Sequence, residues 1–424
     1  MPSIEELYAL EILDSRGRPT VQATCTLGSG ASGTASVPSG ASTGHAEARE
    51  LRDGDRRRYG GLGCRHAVAN VNGAIRSALT GRKIADQAEL DLCLCELDGT
   101  PDKGRLGANA ILVVSLAFAR AVSQERATPL FAYFASLLGT TPRLPQLTVN
   151  LFSGGKHAGG QVSIQDILVV PCSAQSVDQA LAMVYAVYQA AAAISLEKYG
   201  MRALTADEGG LAPPFLDVDA MLYDAVAAIE RAGLRPGADV ALAVDVASSH
   251  FYVDGNYLLD HARLASHGMI ARILTWLDRY PIVSIEDGLA EEDWGAWPDL
   301  NTVLQGRALT LGDDFLCTNP GRIRRAVELR AANALLLKVN QVGTLTEAAD
   351  ACRLARAAGW AVVVSARSGE TEDNWLADLA TGWAGDFIKV GSITQSERLA
   401  KYNRLLEIEA RYDLPFAGGQ YEHR

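Results

Sequence analysis

Six short apolar runs, each ending abruptly in a charged or polar side chain, constrain this chain more than any other feature. ALAVDV closes on Asp245, PIVSIED on Glu286, ALTLGDD on Asp313, ALLLKVN on Lys338, WAVVVSARS on Arg367 and DFIKVGS on Lys389. Continuous runs of aliphatic residues suit strands covered on both faces, the condition of a parallel sheet. Helical stretches such as 219–232 and 345–358 lie between them, so the unit is one strand plus one helix, repeating roughly every 25–40 residues. A doubly wound open sheet would spread the strand-end residues along an edge. A (β/α)8-type barrel instead gathers them on its C-terminal face, where barrel enzymes act. The expected fold over residues 139–424 is therefore an α/β barrel.

The first third reads differently. QATCTLGSGASGTASVP, residues 22–38, alternates as two strands of an antiparallel hairpin. Apolar periodicity then turns helical, most clearly over 109–122. Two prolines in 140–145 stop any continuing helix. Residues 1–138 are thus expected to form an N-terminal α+β capping domain, and a length of 424 residues also favours two domains.

Composition narrows the function classes. A net charge of −11 repels phosphate backbones and argues against nucleic acid as a partner. The one basic triplet, Arg56, Arg57 and Arg58, reads as solvated surface. Seven scattered cysteines include no pair of metal-binding motifs (Cys93 and Cys95 stand alone), which suits reduced thiols in the cytoplasm. The opening MPSIEELYAL lacks the apolar core of a signal peptide. The alanine-rich segment 181–196 is short for a membrane span and reads as a buried helix.

The strand ends imply chemistry. Asp245, Glu286 and Asp313 close three successive strands, and hard oxygen ligands converging in this way suit Mg²⁺. Any one alone would be read as a helix cap. Lys338 and Lys389 follow on later strands. Burial beside a cationic centre should lower a lysine pKa and free an amine to act as base. A salt bridge to the acidic trio is the structural alternative. With Arg367 added, the set looks built for a small polyanionic substrate.

At this point a resemblance becomes specific. EILDSRGRPTV, PSGASTGHAEARELRDGD, GANAIL, GGKHAGG, ADEGGLAP, DVASSHFY, PIVSIEDGLAEEDW, GDD, LLLKVNQVGTLTEA, SGETED and SERLAKYN occur in an order that resembles the enolase family over essentially the whole chain. The resemblance implies an α+β cap on a barrel, two Mg²⁺ ions per site and a homodimer or higher homo-oligomer. It implies Asp245, Glu286 and Asp313 as ligands of the first ion, and Ser42, in a mobile Gly-Ala-Ser-Thr-Gly lid, as helping to bind the second. Lys338 matches the base that removes the α-proton, and Glu208 the acid that protonates the departing hydroxyl. Lys389 matches the group holding the substrate carboxylate. His157 matches the histidine of a closing loop, and Arg367 and Ser368 match phosphoryl-binding groups.

The departures collect around the substrate. The family pattern Ser-His-Arg-Ser-Gly is here Ser365-Ala366-Arg367-Ser368-Gly369, so an imidazole beside the phosphoryl-binding arginine is replaced by a methyl group. A Gln-Glu pair is Gln165-Asp166, an Asn-Gly-Gly is Ser153-Gly154-Gly155 followed by Lys156, and an arginine before Ser-Glu-Arg is Gln395. A glutamate after Ala-Ser-Ser is His250, read as peripheral. Retained ligands and base with an altered substrate shell point to a working Mg²⁺-dependent dehydratase. The expected substrate resembles 2-phosphoglycerate with a modified phosphoryl group, as in carboxyphosphonoglycerate conversion to carboxyphosphonoenolpyruvate. Ordinary glycolytic enolase and a non-catalytic binding paralogue are the alternatives. A mandelate-racemase-like member is disfavoured, since no Lys-x-Lys pair is present.

Overall fold

A computed structural model describes residues 1–41, 44–200 and 204–419. The chain begins with an antiparallel three-stranded sheet, β1 (Ile4–Leu13), β2 (Pro19–Leu27) and β3 (Ser32–Ser36). Its inner face packs on helix Ala108–Glu125, which is buried along nearly its whole length. That all-round burial explains why the segment is apolar on every face. A further helix, Leu130–Leu138, ends at Gly139, and the barrel begins at β4 (Gln146–Ser153).

The remaining barrel strands are β5 (Asp166–Val170), β6 (Ala241–Asp245), β10 (Ile282–Glu286), β11 (Leu309–Gly312), β12 (Ala334–Leu337), β13 (Ala361–Ser365) and β14 (Phe387–Lys389). A small antiparallel sheet, β7 (Tyr252–Val253), β8 (Asn256–Leu259) and β9 (Ala262–Leu264), lies between β6 and β10 in sequence. The barrel closes in the order β10-β11-β12-β13-β14-β4-β5-β6. All six runs singled out in the sequence end on these strands or one to two residues beyond.

The expectation of a wholly parallel barrel is corrected in one place. β5 is antiparallel to both β4 and β6. The segment 154–165 between β4 and β5 holds only a single helical turn, Gly155–His157, and cannot supply the helical crossover that a parallel return needs. The reversal has a functional consequence. It brings the first residue of β5, Asp166, opposite Ser153 and Asp245, on the same face as the C-terminal ends of the parallel strands.

Alternation does the rest. Ala241 and Ala243, Leu309 and Leu311, Ala334 and Leu336, Ala361 and Val363, and Phe387 form an apolar cluster within the barrel. Continuing each strand by two residues places Asp245, Asp313, Lys338, Ser365 and Lys389 above that cluster. The second apolar layer lies between barrel, helices and cap. It includes helix Val177–Tyr199, the one described helix long and apolar enough to cross a membrane, with 56% of its most apolar window buried in this fold.

Candidate active site

A narrow cleft opens at the C-terminal face of the barrel. It is lined by Ala41, His157, Gln165, Glu208, Asp245, Lys338, Ser365, Ala366, Arg367, Ser368, Lys389 and Val390. Most residues expected at the site therefore meet in one place. Ser42 lies outside the described residues.

One wall consists of charge pairs. Lys389 Nζ donates to Asp245 Oδ2 (2.9 Å) and to both Glu286 oxygens (2.8 and 2.7 Å). Lys338 Nζ donates to Asp313 Oδ2 at 2.5 Å, and Gln341 Nε2 reaches Asp313 Oδ1 at 3.1 Å. Asp245, Glu286 and Asp313 are 2–5% exposed, so their charges need these partners. The expected lowering of the lysine pKa values is reversed in this state. Burial is the largest influence and pushes both amines down, but the carboxylates together outweigh it, Asp313 with Glu286 and Asp314 at Lys338, and Asp245 and Glu286 with Asp166 and Glu208 at Lys389, so both are raised.

The ligand-spaced clusters among the described residues also differ from the expected trio. They are His157, Asp166 and Glu208, and Asp287, Asp313 and Asp314. Asp245 and Glu286 are brought together through Lys389 and fall outside both. The donor set still fits a hard dication: buried carboxylates from adjacent strands, with Gln165 donating to Asp245 Oδ2 (3.1 Å) while its own buried Oε1 lacks a partner among the described residues.

The opposite wall joins a carboxylate to an imidazole. Glu208 is carried by the turn Ala206–Gly210, where Gly209 has φ +85° and a Cβ on Gly210 would collide with Ser153 Oγ. The two glycines are what let this loop press onto β4. Glu208 accepts from Asn150 Nδ2 at 3.1 Å and lies 3.8 Å from His157 Nε2. His157 Nδ1 pairs with Asp166 at 2.9 Å. Burial alone would lower the imidazole, but Asp166 and Glu208 outweigh it and push it up to about 9. Burial would raise Glu208, yet His157, Arg398, Lys389 and Lys338 hold it low. The proton of this pair therefore sits on His157, with Glu208 ionised beside it.

Two departures noted in the sequence meet here. Ser153 Oγ donates to Asp166 Oδ1, so the serine and the shortened carboxylate hold each other while Oδ2 holds His157. Asp166 itself is raised, chiefly by burial.

The corner around Arg367 contains a residue the sequence reading passed over. Arg367 donates from Nη1 to Glu47 Oε2 (2.9 Å) and Asn340 Oδ1 (3.0 Å), and from Nη2 to Glu47 Oε1 (3.1 Å). Glu47 belongs to the PSGASTGHAE block, which suggested a lid but not an arginine partner. Ser368 Oγ accepts from Arg16 at 3.1 Å. Ala366 is 7% exposed; its residue lines the cleft and also belongs to the outer apolar layer. Lys156 is exposed. His250, read as peripheral, is not among the residues lining the cleft; it is half-buried, and burial together with Lys156 pushes its imidazole down to about 4, with Asp245 and His157 within electrostatic reach.

Two sequence comparisons complete the picture. Residues 4–134 match the family model for the enolase N-terminal domain, and residues 141–421 match that for the enolase C-terminal TIM barrel domain. With both domains matched over nearly the whole chain, and a buried acid, amine and imidazole cleft at the barrel's C-terminal face, this chain belongs to the enolase family of hydro-lyases.

Proposed function

We propose that the protein eliminates water from a small 2-phosphoglycerate-like anion whose phosphoryl group carries an additional substituent, giving an enolpyruvate. The observation that carries this reading is the corner beside Arg367, where the cleft is lined by Ala366 and Ala41 rather than by a second imidazole. A methyl group in place of a donor next to a retained arginine favours a different phosphorus group, such as a carboxyphosphonate.

In this reading Asp245, Glu286 and Asp313 hold one Mg²⁺, and Ser42 contributes to a second. A dication held there would neutralise the substrate carboxylate and take Asp313 from Lys338, leaving an amine that burial and Arg367 both push down. Lys338 removes the proton from C2. Lys389 orients the carboxylate. The C3–O bond breaks as the C2–C3 double bond forms, and the hydroxyl leaves as water with the proton that His157 holds, passed to it through the carboxylate of Glu208. Gln165 and Asp166 fix the loop side of the cleft, and Arg367 with Ser368 holds the phosphorus group. The family resemblance also supports a cytoplasmic homodimer or larger homo-oligomer, which sedimentation would test.

The experiment follows enolpyruvate absorbance with purified protein and Mg²⁺ on 2-phosphoglycerate and on its carboxyphosphonate counterpart. Preference for the latter is expected. Turnover of 2-phosphoglycerate at ordinary enolase rates returns the protein to the glycolytic reaction, which the retained Lys338 and Glu208 equally permit. Failure to bind Mg²⁺ in a calorimetric titration favours a non-catalytic role.

A further inference from the structure

Among the buried strand-end carboxylates that the chemistry above does not use, one is tied to its neighbours through both oxygens. Asp287 follows Glu286, is 4% exposed and has φ +43°, a left-handed conformation uncommon for a residue with a side chain. Its Oδ1 accepts from the Asp313 backbone N–H (2.9 Å) and its Oδ2 from that of Asp314 (2.8 Å). Its own N–H donates to the Leu311 carbonyl of β11 (3.0 Å), and its carbonyl accepts from Ser248 N–H (3.1 Å), three residues beyond Asp245. The neighbouring Glu286 carbonyl accepts from Val246 N–H at 2.9 Å. One residue thus ties together the three strand ends that bear Asp245, Glu286 and Asp313.

We infer that Asp287 is a positioning residue for the metal-binding carboxylates, fixing the register of the three strand ends and turning Asp313 toward the cleft. The inference rests on the Mg²⁺ reading given above. Both carboxylate oxygens are in use, so the two-acceptor character of the side chain matters. An asparagine offers one acceptor, and its NH₂ would face a backbone N–H that also needs an acceptor. Asp313 would then lose its fixed direction while remaining chemically intact. Mg²⁺ demands near-ideal octahedral geometry, whereas Ca²⁺ accepts irregular, adaptable oxygen sites. Misdirection should therefore discriminate between the ions.

The test titrates the full-length protein and Asp287→Asn with Mg²⁺ and with Ca²⁺ by calorimetry, without substrate, alongside a thermal melt. Mg²⁺ affinity is expected to fall about 10–100-fold, the range for lost partners of metal ligands. Ca²⁺ affinity should fall several-fold less. Asp98→Asn is the control: Asp98 likewise accepts from backbone N–H groups, of Thr100 (3.0 Å) and Leu106 (2.6 Å), but in the cap. It should lower the melting temperature and leave Mg²⁺ affinity unchanged. Should Asp287→Asn not fold, Asp287→Ser, which keeps one acceptor, is judged by the same criterion. A folded variant that binds Mg²⁺ like the wild type overturns the inference. Equal loss for both ions, or an equal loss in Asp98→Asn, overturns it too. A wild-type protein that binds no Mg²⁺ overturns it together with the reading it rests on.

Discussion

The two sides of the cleft are built on different terms. The wall of Asp245, Glu286, Asp313, Lys338 and Lys389 hangs on strand ends, and each amine there is matched by carboxylates. The side that includes Arg367, Ser368, His157 and Asp166 draws on segments far apart in the chain, such as Glu47 for Arg367. The family pattern survives throughout the first side, whereas on the second it is kept at Arg367, Ser368 and His157 and departs at Asp166 and at Ala366 beside Arg367. Strand positions are fixed by the barrel, so a change there would disturb packing and charge balance together. At the β4–β5 end the two departing residues, Ser153 and Asp166, hold each other, so a change at one is matched at the other. A wall fixed by packing and charge matching together, facing one assembled from distant segments that holds the departures, is the division this difference teaches.

The comparison can be broken most decisively at Lys338. Lys338→Ala should reduce exchange of the substrate α-proton with solvent by about 10²–10⁴-fold. Glu208→Gln should keep that exchange and lose dehydration, as followed by NMR in D₂O. Exchange that survives in the lysine variant removes it as base and places the chemistry elsewhere.

The charge-matched wall makes a stability prediction. Lys389→Ala leaves Asp245 and Glu286 buried without their common partner and should cost about 3–5 kcal/mol in urea unfolding. Mg²⁺ should restore part of it, since an ion that binds only the folded state stabilises it. A variant as stable as the wild type without metal would mean that the pairs carry no strain on removal.

A smaller effect is expected on the side that holds the departures. Ala366→His should shift the ratio of kcat/KM values toward 2-phosphoglycerate by roughly 10–200-fold, the range for one added or missing contact in a pocket. An unchanged ratio would detach substrate choice from this position.

The smallest effect concerns His250, at the edge of both sides. Its imidazole is lowered to about 4 by burial and Lys156. Above its ordinary value of about 6.5 both folded and unfolded chains hold it neutral. As pH falls from there toward 4, only the unfolded chain takes up the proton, so folded stability declines. His250→Gln should flatten that decline by roughly 1 kcal/mol at pH 5 once solvent screening is allowed for. Melting curves between pH 4.5 and 7 would show it; an unaltered slope places the acid sensitivity on other groups.

Much of this was legible in the sequence because strands and alternation are local. Six apolar runs ending in Asp245, Glu286, Asp313, Lys338, Arg367 and Lys389 predict a barrel face; four of these residues line one cleft in the structure, and Glu286 reaches it through Lys389. The remaining one, Asp313, reaches it through Lys338. Asp166 could not be placed by the same rule, because it begins its strand instead of ending it. Only the reversed direction of β5 puts it on the reactive face.

Asp287 was equally hidden: adjacent to a predicted ligand, it reads as one more acidic residue until its two backbone partners are seen. The sign of the lysine shifts also required the fold. Sequence identifies that an amine will be buried, which lowers its pKa, but the opposing carboxylates act through distances that no spacing along the chain specifies. Composition, strand period and ordered motifs determined the enolase architecture and the residue types at its mouth. The tertiary structure decided strand direction, which charges touch, and that Ala366 lies between an apolar layer and the cleft. Those are properties of through-space contact between segments hundreds of residues apart, and electrostatics and packing follow that contact rather than the order of the chain.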